Sequence, residues 1–111
     1  MIYITKIQSA KRYMDKNYAS IVSIKEISKN IGCCYNSLRA EFVKHEGITL
    51  GNYLNLCRCE KAKKLLKKTD WKLYKIALEV GFNDDKYFIK VFEKYFDIPP
   101  CEYRKCRKIS I

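Results

Sequence analysis

The stretch "IALEVGFNDDKYFIKVFEKYF" covers residues 76–96 and contains a single glycine, Gly81. Apolar residues recur at helical spacing on both sides of this glycine, which predicts two short helices joined by a turn. The second helix places Phe88 and Phe92 on one face and the long, charged side chain of Lys90 on the opposite face. This arrangement indicates that the second helix presents its polar face to another molecule.

The same pattern occurs about 50 residues earlier in the chain. A shift of 49 residues aligns the first helix and its glycine, and a shift of 50 aligns the second helix; the matched pairs are Ile24 and Leu73, Ile27 and Ile76, Ile31 and Val80, Gly32 and Gly81, Leu38 and Phe88, and Phe42 and Phe92. Glycine permits a left-handed turn that other residues resist. Two helices joined in this way form a helix-turn-helix, whose second helix can enter a major groove about 12 Å wide.

Helical spacing continues through the rest of the chain, and no segment alternates for long enough to predict a strand. The predicted fold class is therefore all-α, with about seven helices that form two helix-turn-helix subdomains joined by a long linker helix. The helices are expected at about 4–17, 24–32, 35–45, 50–68, 72–80, 84–95 and 101–107. The predicted domains are an N-terminal subdomain at 1–48, the linker helix at 49–68 and a C-terminal subdomain at 69–111.

Local signals predict two helix starts and the inner face of the linker helix. Ser23 and Glu26 match a capping box at the start of the second helix, and Thr49 caps the linker helix. The predicted inner stripe of the linker helix consists of Leu50, Tyr53, Leu54, Cys57, the stem of Lys61, Leu65 and Leu66.

The linker helix also sets an expected spacing. Its predicted length of about 19 residues corresponds to roughly 28 Å, which can hold two reading helices about 34 Å apart, one turn of B-DNA. One chain would then contact two successive major grooves. Because the two copies differ in sequence, the DNA site is expected to be asymmetric.

The composition favours a polyanionic partner. The 111 residues include 23 basic and 12 acidic side chains, a net charge of +11, and the excess is spread over both halves of the chain. A basic chain rich in lysine and tyrosine points to nucleic acid ahead of a membrane. The sequence contains neither a membrane-length apolar run nor a signal peptide, so we expect a cytoplasmic protein that does not contact the membrane.

The residues that could carry chemistry do not form a recognisable site. The six cysteines are expected to be free thiols, with Cys57 buried; the alternative is a metal or redox sensor at Cys33–Cys34 or at Cys57 and Cys59. The only histidine, His45, has no catalytic constellation around it in the sequence. We therefore predict no enzyme activity, no catalytic residues, no metal site and no cofactor.

Two sets of motifs resemble one known family. The segments "IALEVGF" and "VFEKYFDIPPCEYRK" strongly resemble the second half of the AraC/XylS-type DNA-binding domain, and "IKEISKNIG" and "HEGITLGNYLNLCRCEKAKKLL" resemble its first half and linker helix. The resemblance covers about residues 5–108. It implies a bacterial transcription regulator, most similar to the short stand-alone activators of this family unless the chain is a fragment of a longer regulator. The implied partners are double-stranded DNA, bound as a monomer, and RNA polymerase.

The resemblance implies base contacts from the exposed face of each reading helix. These positions are Asn36, Arg39 and Ala40 in the first copy, and Lys86, Tyr87, Ile89 and Lys90 in the second. The starts of the second and fifth helices, near Ser23 and Lys72, are candidate phosphate contacts, because backbone N–H groups at a helix start attract anions.

The sequence departs from the family pattern at several positions. Cys34 stands where a capping serine is usual, and Asp97 stands where glycine is usual. Ala40 offers a base only a methyl group, and Glu41 follows it on the reading helix. These two residues keep open an alternative function, in which a small regulator acts mainly by binding another transcription factor or RNA polymerase.

Overall fold

The structure, a computed structural model, describes residues 5–109, with side chains described for residues 5–105. Within this range it contains seven α-helices and no strand, which confirms the predicted fold class. The helices are α1 (Lys6–Asn17), α2 (Lys25–Ile31), α3 (Tyr35–Glu46), α4 (Leu50–Lys68), α5 (Leu73–Val80), α6 (Asp85–Phe96) and α7 (Pro100–Ile109). The predicted start of the first helix at residue 4 lies outside the described residues.

The chain divides into two compact units, Met1–Cys57 and Arg58–Ile111. The first unit encloses a core in which Leu38 and Phe42 of α3 are completely buried, and the Phe42 ring meets Tyr53 edge-on at 5.5 Å between centroids. Burying an apolar side chain of this size contributes roughly 1.5–3 kcal/mol. The other buried members of this core are Ile7, Ala10, Met14, Ile21, Ile27, Leu50 and Leu54. The inner face of α3 is thereby fixed.

The second unit contains a cluster of aromatic rings around Phe92 of α6. The Phe92 ring centroid lies 5.8 Å from Phe88, 4.7 Å from Phe96 and 5.7 Å from Tyr103, each at an edge-on angle. Such pairs add roughly 0.5–1.5 kcal/mol each beyond burial. Phe88 and Phe92 are both completely buried, as the repeat predicts.

Arg104 of α7 fastens the C-terminal end of α4 to the segment that follows it. Its guanidinium group donates hydrogen bonds to the backbone carbonyls of Leu66 at 3.2 Å, Thr69 at 3.2 Å and Trp71 at 2.6 Å. The last carbonyls of a helix have no partner within the helix, and they carry partial negative charge. Arg104 therefore satisfies one carbonyl in the last turn of α4 and two carbonyls in the loop that follows it.

The two glycines of the repeated unit adopt the left-handed conformation that the pattern predicts. Gly32 has φ 74° at the end of α2, and Gly81 has φ 111° at the end of α5. In each turn the next residue donates its N–H to a carbonyl inside the preceding helix, Cys33 to Ser28 at 3.0 Å and Phe82 to Ala77 at 2.8 Å. Helices α2 and α5 therefore end in the same way, although the turn after α5 is one residue longer than the turn after α2.

The capping box predicted at Ser23 and Glu26 is wrong. A capping box requires the glutamate side chain to accept from the N–H of the serine. Instead the Glu26 carboxylate accepts from the Val22 N–H at 3.2 Å and from the Tyr13 hydroxyl at 2.9 Å, and the N-cap residue of α2 is Ile24. Each carboxylate oxygen is thereby engaged, Oε1 by Val22 and Oε2 by Tyr13 of α1. The cap by Thr49, which accepts from the Asn52 N–H at 3.1 Å, forms as expected.

The predicted inner stripe of the linker helix is buried at Leu50, Leu54 and Leu66, and the prediction that Cys57 is buried is wrong. Cys57 is half-buried, and its Sγ donates to the Asp15 carboxylate at 3.2 Å. The second half of α4 belongs to the second unit, so its buried side follows that unit's core, at Cys59, Ala62 and Leu66. The other predicted members, Tyr53, Lys61 and Leu65, are half-buried.

Candidate nucleic-acid interface

The predicted reading helix of the first copy is α3, whose inner face is anchored by Leu38 and Phe42. The three residues predicted to contact bases, Asn36, Arg39 and Ala40, are all exposed. Among the described residues, no hydrogen bond or ion pair engages the side chains of Asn36 and Arg39. The amide and the guanidinium group are therefore available to a partner.

The corresponding helix of the second copy is α6, which buries Phe88 and Phe92. Lys86 and Lys90 are exposed, and Tyr87 is 49% exposed, with its ring edge-on to Phe82 at 5.9 Å between centroids. Ile89 is half-buried and offers less surface than predicted. Two lysines and one tyrosine therefore dominate the exposed face.

The predicted phosphate contacts lie at exposed helix starts. Lys72 is the N-cap residue of α5, and within the described residues its side chain makes no capping hydrogen bond. Ser23 precedes the N-cap residue of α2, and its Oγ accepts from the Lys25 N–H at 3.3 Å. The Ser23 hydroxyl acts as an acceptor in that bond, so its O–H can still donate to an anion, as can the N–H groups at the start of α5.

The two reading helices begin differently. Asp84 caps α6 by accepting from the Lys86 N–H at 2.8 Å. Cys34 occupies the same place before α3, and no capping hydrogen bond to its side chain forms within the described residues. The N–H groups of Ser37 and then Asn36 nevertheless face the sulfur and lower the pKa of the Cys34 thiol. The thiol is a weak acceptor until it ionises.

One charged network connects α1 to the first two turns of α3. The Lys6 ammonium lies 2.7 Å from the Glu41 carboxylate and 2.6 Å from Ser37 Oγ, and the Ser37 hydroxyl donates to the same carboxylate at 2.9 Å. Hydrogen bonding to Lys6 and then Ser37 lowers the pKa of the Glu41 carboxyl, and the same bond raises the pKa of the Lys6 ammonium. Glu41 is therefore held as a paired carboxylate beside the reading face.

The comparisons with known proteins agree with this geometry. A family model described as a helix-turn-helix domain matches residues 27–106, which include α3, α4, α5 and α6. A solved transcriptional regulator of Chromobacterium violaceum, described as containing an AraC-type DNA-binding domain, superposes with a TM-score of 0.87 at 25% identity, over 96% of this chain and 95% of that one. The chain belongs to the AraC-type helix-turn-helix family.

Two curated relatives place this AraC-type domain among transcription regulators. The uncharacterised HTH-type transcriptional regulator YijO of Escherichia coli strain K12 is 35% identical over 98 residues, which is 88% of this chain and 35% of that protein. The HTH-type transcriptional activator RhaS of Enterobacter sp. strain 638 is 28% identical over 106 residues, 96% of this chain and 38% of RhaS. The chain thus spans little more than a third of the length of either relative.

The fold of the AraC-type domain is also that of a protein solved on DNA. The DNA-binding domain of AdpA, in complex with a target DNA, superposes with a TM-score of 0.86 over 96% of each chain, at 14% identity. At this identity the likeness concerns the fold alone.

Val43 is a candidate base-contact residue of the AraC-type domain that the sequence reasoning missed. It is 40% exposed and follows Arg39 by four residues, so it lies on the same face of α3. An exposed valine there can contact the methyl group of thymine. Helical spacing was sufficient to identify it.

The cysteines of the AraC-type domain are free thiols at the five described positions, Cys33, Cys34, Cys57, Cys59 and Cys101; the side chain of Cys106 lies outside the described residues. Burial raises the pKa of the Cys59 thiol to about 12. Within the described residues, no group of three histidine, cysteine or acidic side chains is arranged to hold a metal. None of the described helices is both long enough and apolar enough to span a membrane.

Proposed function

We propose that this AraC-type domain binds a specific sequence of double-stranded DNA and regulates transcription, with α3 and α6 as reading helices. The observation that carries the proposal is the repeated unit itself. Two side chains one helical turn apart are completely buried in each copy: Leu38 and Phe42 in the first, and Phe88 and Phe92 in the second. The opposite face of each helix is polar and exposed.

Each predicted contact has a chemical role in this proposal. Arg39 would bind guanine through two hydrogen bonds and Asn36 would bind adenine in the same way, while Ala40 contributes a methyl contact. Lys86 and Lys90 would bind guanine. Tyr87 and Ile89 add packing against bases, and phosphates would bind near Ser23 and Lys72.

The proposal extends to the architecture of the complex. The chain would act as a monomer, with subdomains at 1–48 and 69–111 joined by the linker at 49–68, and would contact two adjacent major grooves of an asymmetric site. The length of α4, 19 residues or roughly 28 Å, is compatible with that spacing. By analogy with the activator RhaS, we propose that the domain activates transcription. RNA polymerase is the protein partner that we propose for this step.

A second candidate function is regulation mainly through binding another transcription factor or RNA polymerase. The observation that favours it is an exposed apolar pair on α5, Tyr74 at 56% and Leu78 at 59% exposure, four residues apart on one face. A salt titration separates the two functions. Many phosphate contacts make DNA affinity fall steeply with salt concentration, whereas an apolar protein contact changes little.

The experiment that tests the proposal is selection of bound duplexes from a random pool, followed by affinity measurements on the enriched site. Arg39→Ala should lower affinity by roughly 1–3 kcal/mol, about 5- to 150-fold, and relax base preference at one position. Lys90→Ala should do so in the other half of the site. Arg12→Ala, an exposed arginine of α1, is the matched control and should affect all sequences equally. Enrichment of no motif would refute the proposal.

A further inference from the structure

Lys6 is the residue through which α1 reaches the reading helix of the first unit. Its side chain is 30% exposed, and its ammonium group contacts both Ser37 and Glu41 of α3. These two residues lie one helical turn apart, and each directly follows a predicted base-contact residue: Ser37 follows Asn36, and Glu41 follows Ala40. The contact therefore lies at the edge of the face proposed to enter the groove.

This contact is specific to the first copy of the repeat. The positions that correspond to Ser37 and Glu41 in the second copy are Tyr87 and Val91, which carry no charge. The second reading helix also has an aspartate cap, whereas the first begins at Cys34 without one among the described residues. The first copy thus combines a weak helix start with an acidic residue next to the DNA-facing surface, and Lys6 pairs with that acidic residue.

The charge of Glu41 matters because DNA is a dense array of phosphates. Repulsion between an unpaired carboxylate and a phosphate about 8 Å away lowers DNA affinity. The loss is roughly 2-fold at the dielectric constant of water and roughly 30-fold at that of a protein surface. Pairing with an ammonium group 2.7 Å away removes most of that repulsion. The hydrogen bonds to Ser37 also fix the rotamers of two side chains in the first turns of α3.

We propose that Lys6 is a positioning residue for DNA recognition, which neutralises Glu41 and fixes the side chains of Ser37 and Glu41 without itself contacting the phosphate backbone. The inference rests on the proposed function. It predicts that the contribution of Lys6 to DNA affinity passes through Glu41, so that removing the carboxylate removes the need for the lysine.

The test is a double-mutant cycle on the duplex enriched by the wild-type chain. Lys6→Met keeps the aliphatic stem and should weaken binding roughly 2- to 30-fold. Adding Glu41→Gln should restore affinity to within about 2-fold of Glu41→Gln alone. The slope of log affinity against log salt should be the same in the double variant as in the wild type, because no phosphate contact is lost.

A matched control is the second ion pair between the same helices, Lys11 and Glu46, at 3.1 Å. Glu46 is the last residue of α3, so Lys11→Met should change DNA affinity less than 2-fold. Circular dichroism at the binding temperature measures the folded fraction of each variant.

Three results would overturn the inference. Lys6→Met could weaken binding equally with and without Glu41→Gln and lower the salt slope by about 0.9, which would make Lys6 a phosphate contact. The loss of DNA affinity in Lys6→Met could be fully accounted for by the unfolded fraction that circular dichroism measures. Lys6→Met could also leave affinity unchanged. A wild-type chain that selects no duplex would refute the proposed function as well, whereas these three results leave it intact.

Discussion

Gly32→Ala tests the turn between α2 and α3, and Gly51→Ala in α4 is its matched control. Alanine should change stability in opposite directions at the two positions. At Gly32 a Cβ would meet no heavy atom of the described residues within 4 Å, so the substitution causes no clash. The whole effect comes from the backbone, which has φ 74°. A left-handed conformation costs alanine about 1–2 kcal/mol, so Gly32→Ala should destabilise the fold by that amount.

Gly51 lies in the first turn of α4, where the backbone is regular helix. The nearest atom to an added Cβ is Thr49 Oγ1 at 4.0 Å, an ordinary contact. Alanine loses less conformational freedom than glycine on folding, so Gly51→Ala should stabilise by about 0.5–1 kcal/mol. Both glycines belong to the first unit, and both changes therefore act on the same unfolding transition.

Urea denaturation followed by far-UV circular dichroism measures both changes. A third variant, Gly32→Asn, should fall between wild type and Gly32→Ala, because asparagine tolerates the left-handed region better. In thermal melts each 1 kcal/mol corresponds to a shift of about 4–8 °C for a unit of this size. The reasoning is refuted if Gly32→Ala is neutral or stabilising, or if Gly51→Ala destabilises.

Four further predictions concern caps and titratable groups. Asp84→Ala should destabilise the second unit by about 1 kcal/mol, because the α6 cap is lost. Asp97→Gly should stabilise it by up to about 1 kcal/mol, because Asp97 has φ 60°. Chemical denaturation monitored by Trp fluorescence measures both changes. Iodoacetamide at neutral pH should modify Cys34, whose pKa is lowered, well before the buried Cys59, and unfolding should abolish the difference in peptide mass spectra. The folded-state pKa of Glu41 lies below its usual 4.5, so its contribution is present above that pH and is lost as pH falls; melts of wild type and Glu41→Gln should converge in acid, and a constant difference would contradict this.

The helix boundaries were largely predictable because short-range chemistry determines them. Gly32 and Gly81 end their helices in the left-handed conformation, and Thr49 begins the linker helix with the expected cap. The exposed face of each reading helix followed from the buried aromatic positions. In each of these cases the deciding partner lies within a few residues in the sequence.

The predictions that were wrong or missing concern contacts between residues far apart in the sequence. The Glu26 carboxylate accepts from Val22 and from Tyr13, 13 residues earlier, instead of from the N–H of Ser23. Periodicity predicted Cys57 as a buried position, yet Asp15, 42 residues away in the sequence, accepts its hydrogen bond, and Cys59 is the buried thiol. The pairing of Lys6 with Glu41 is likewise set by the packing of α1 on α3. Helical spacing carries no information about such contacts.

The central claim, that one chain reads two adjacent grooves with two different helices, is tested most directly by hydroxyl-radical footprinting of the chain on its selected duplex. We predict two protected segments about 10 base pairs apart on one face of the DNA, with Arg39→Ala weakening protection of one segment and Lys90→Ala weakening the other. Protection of a single groove, or two segments that respond identically to both substitutions, would contradict the claim.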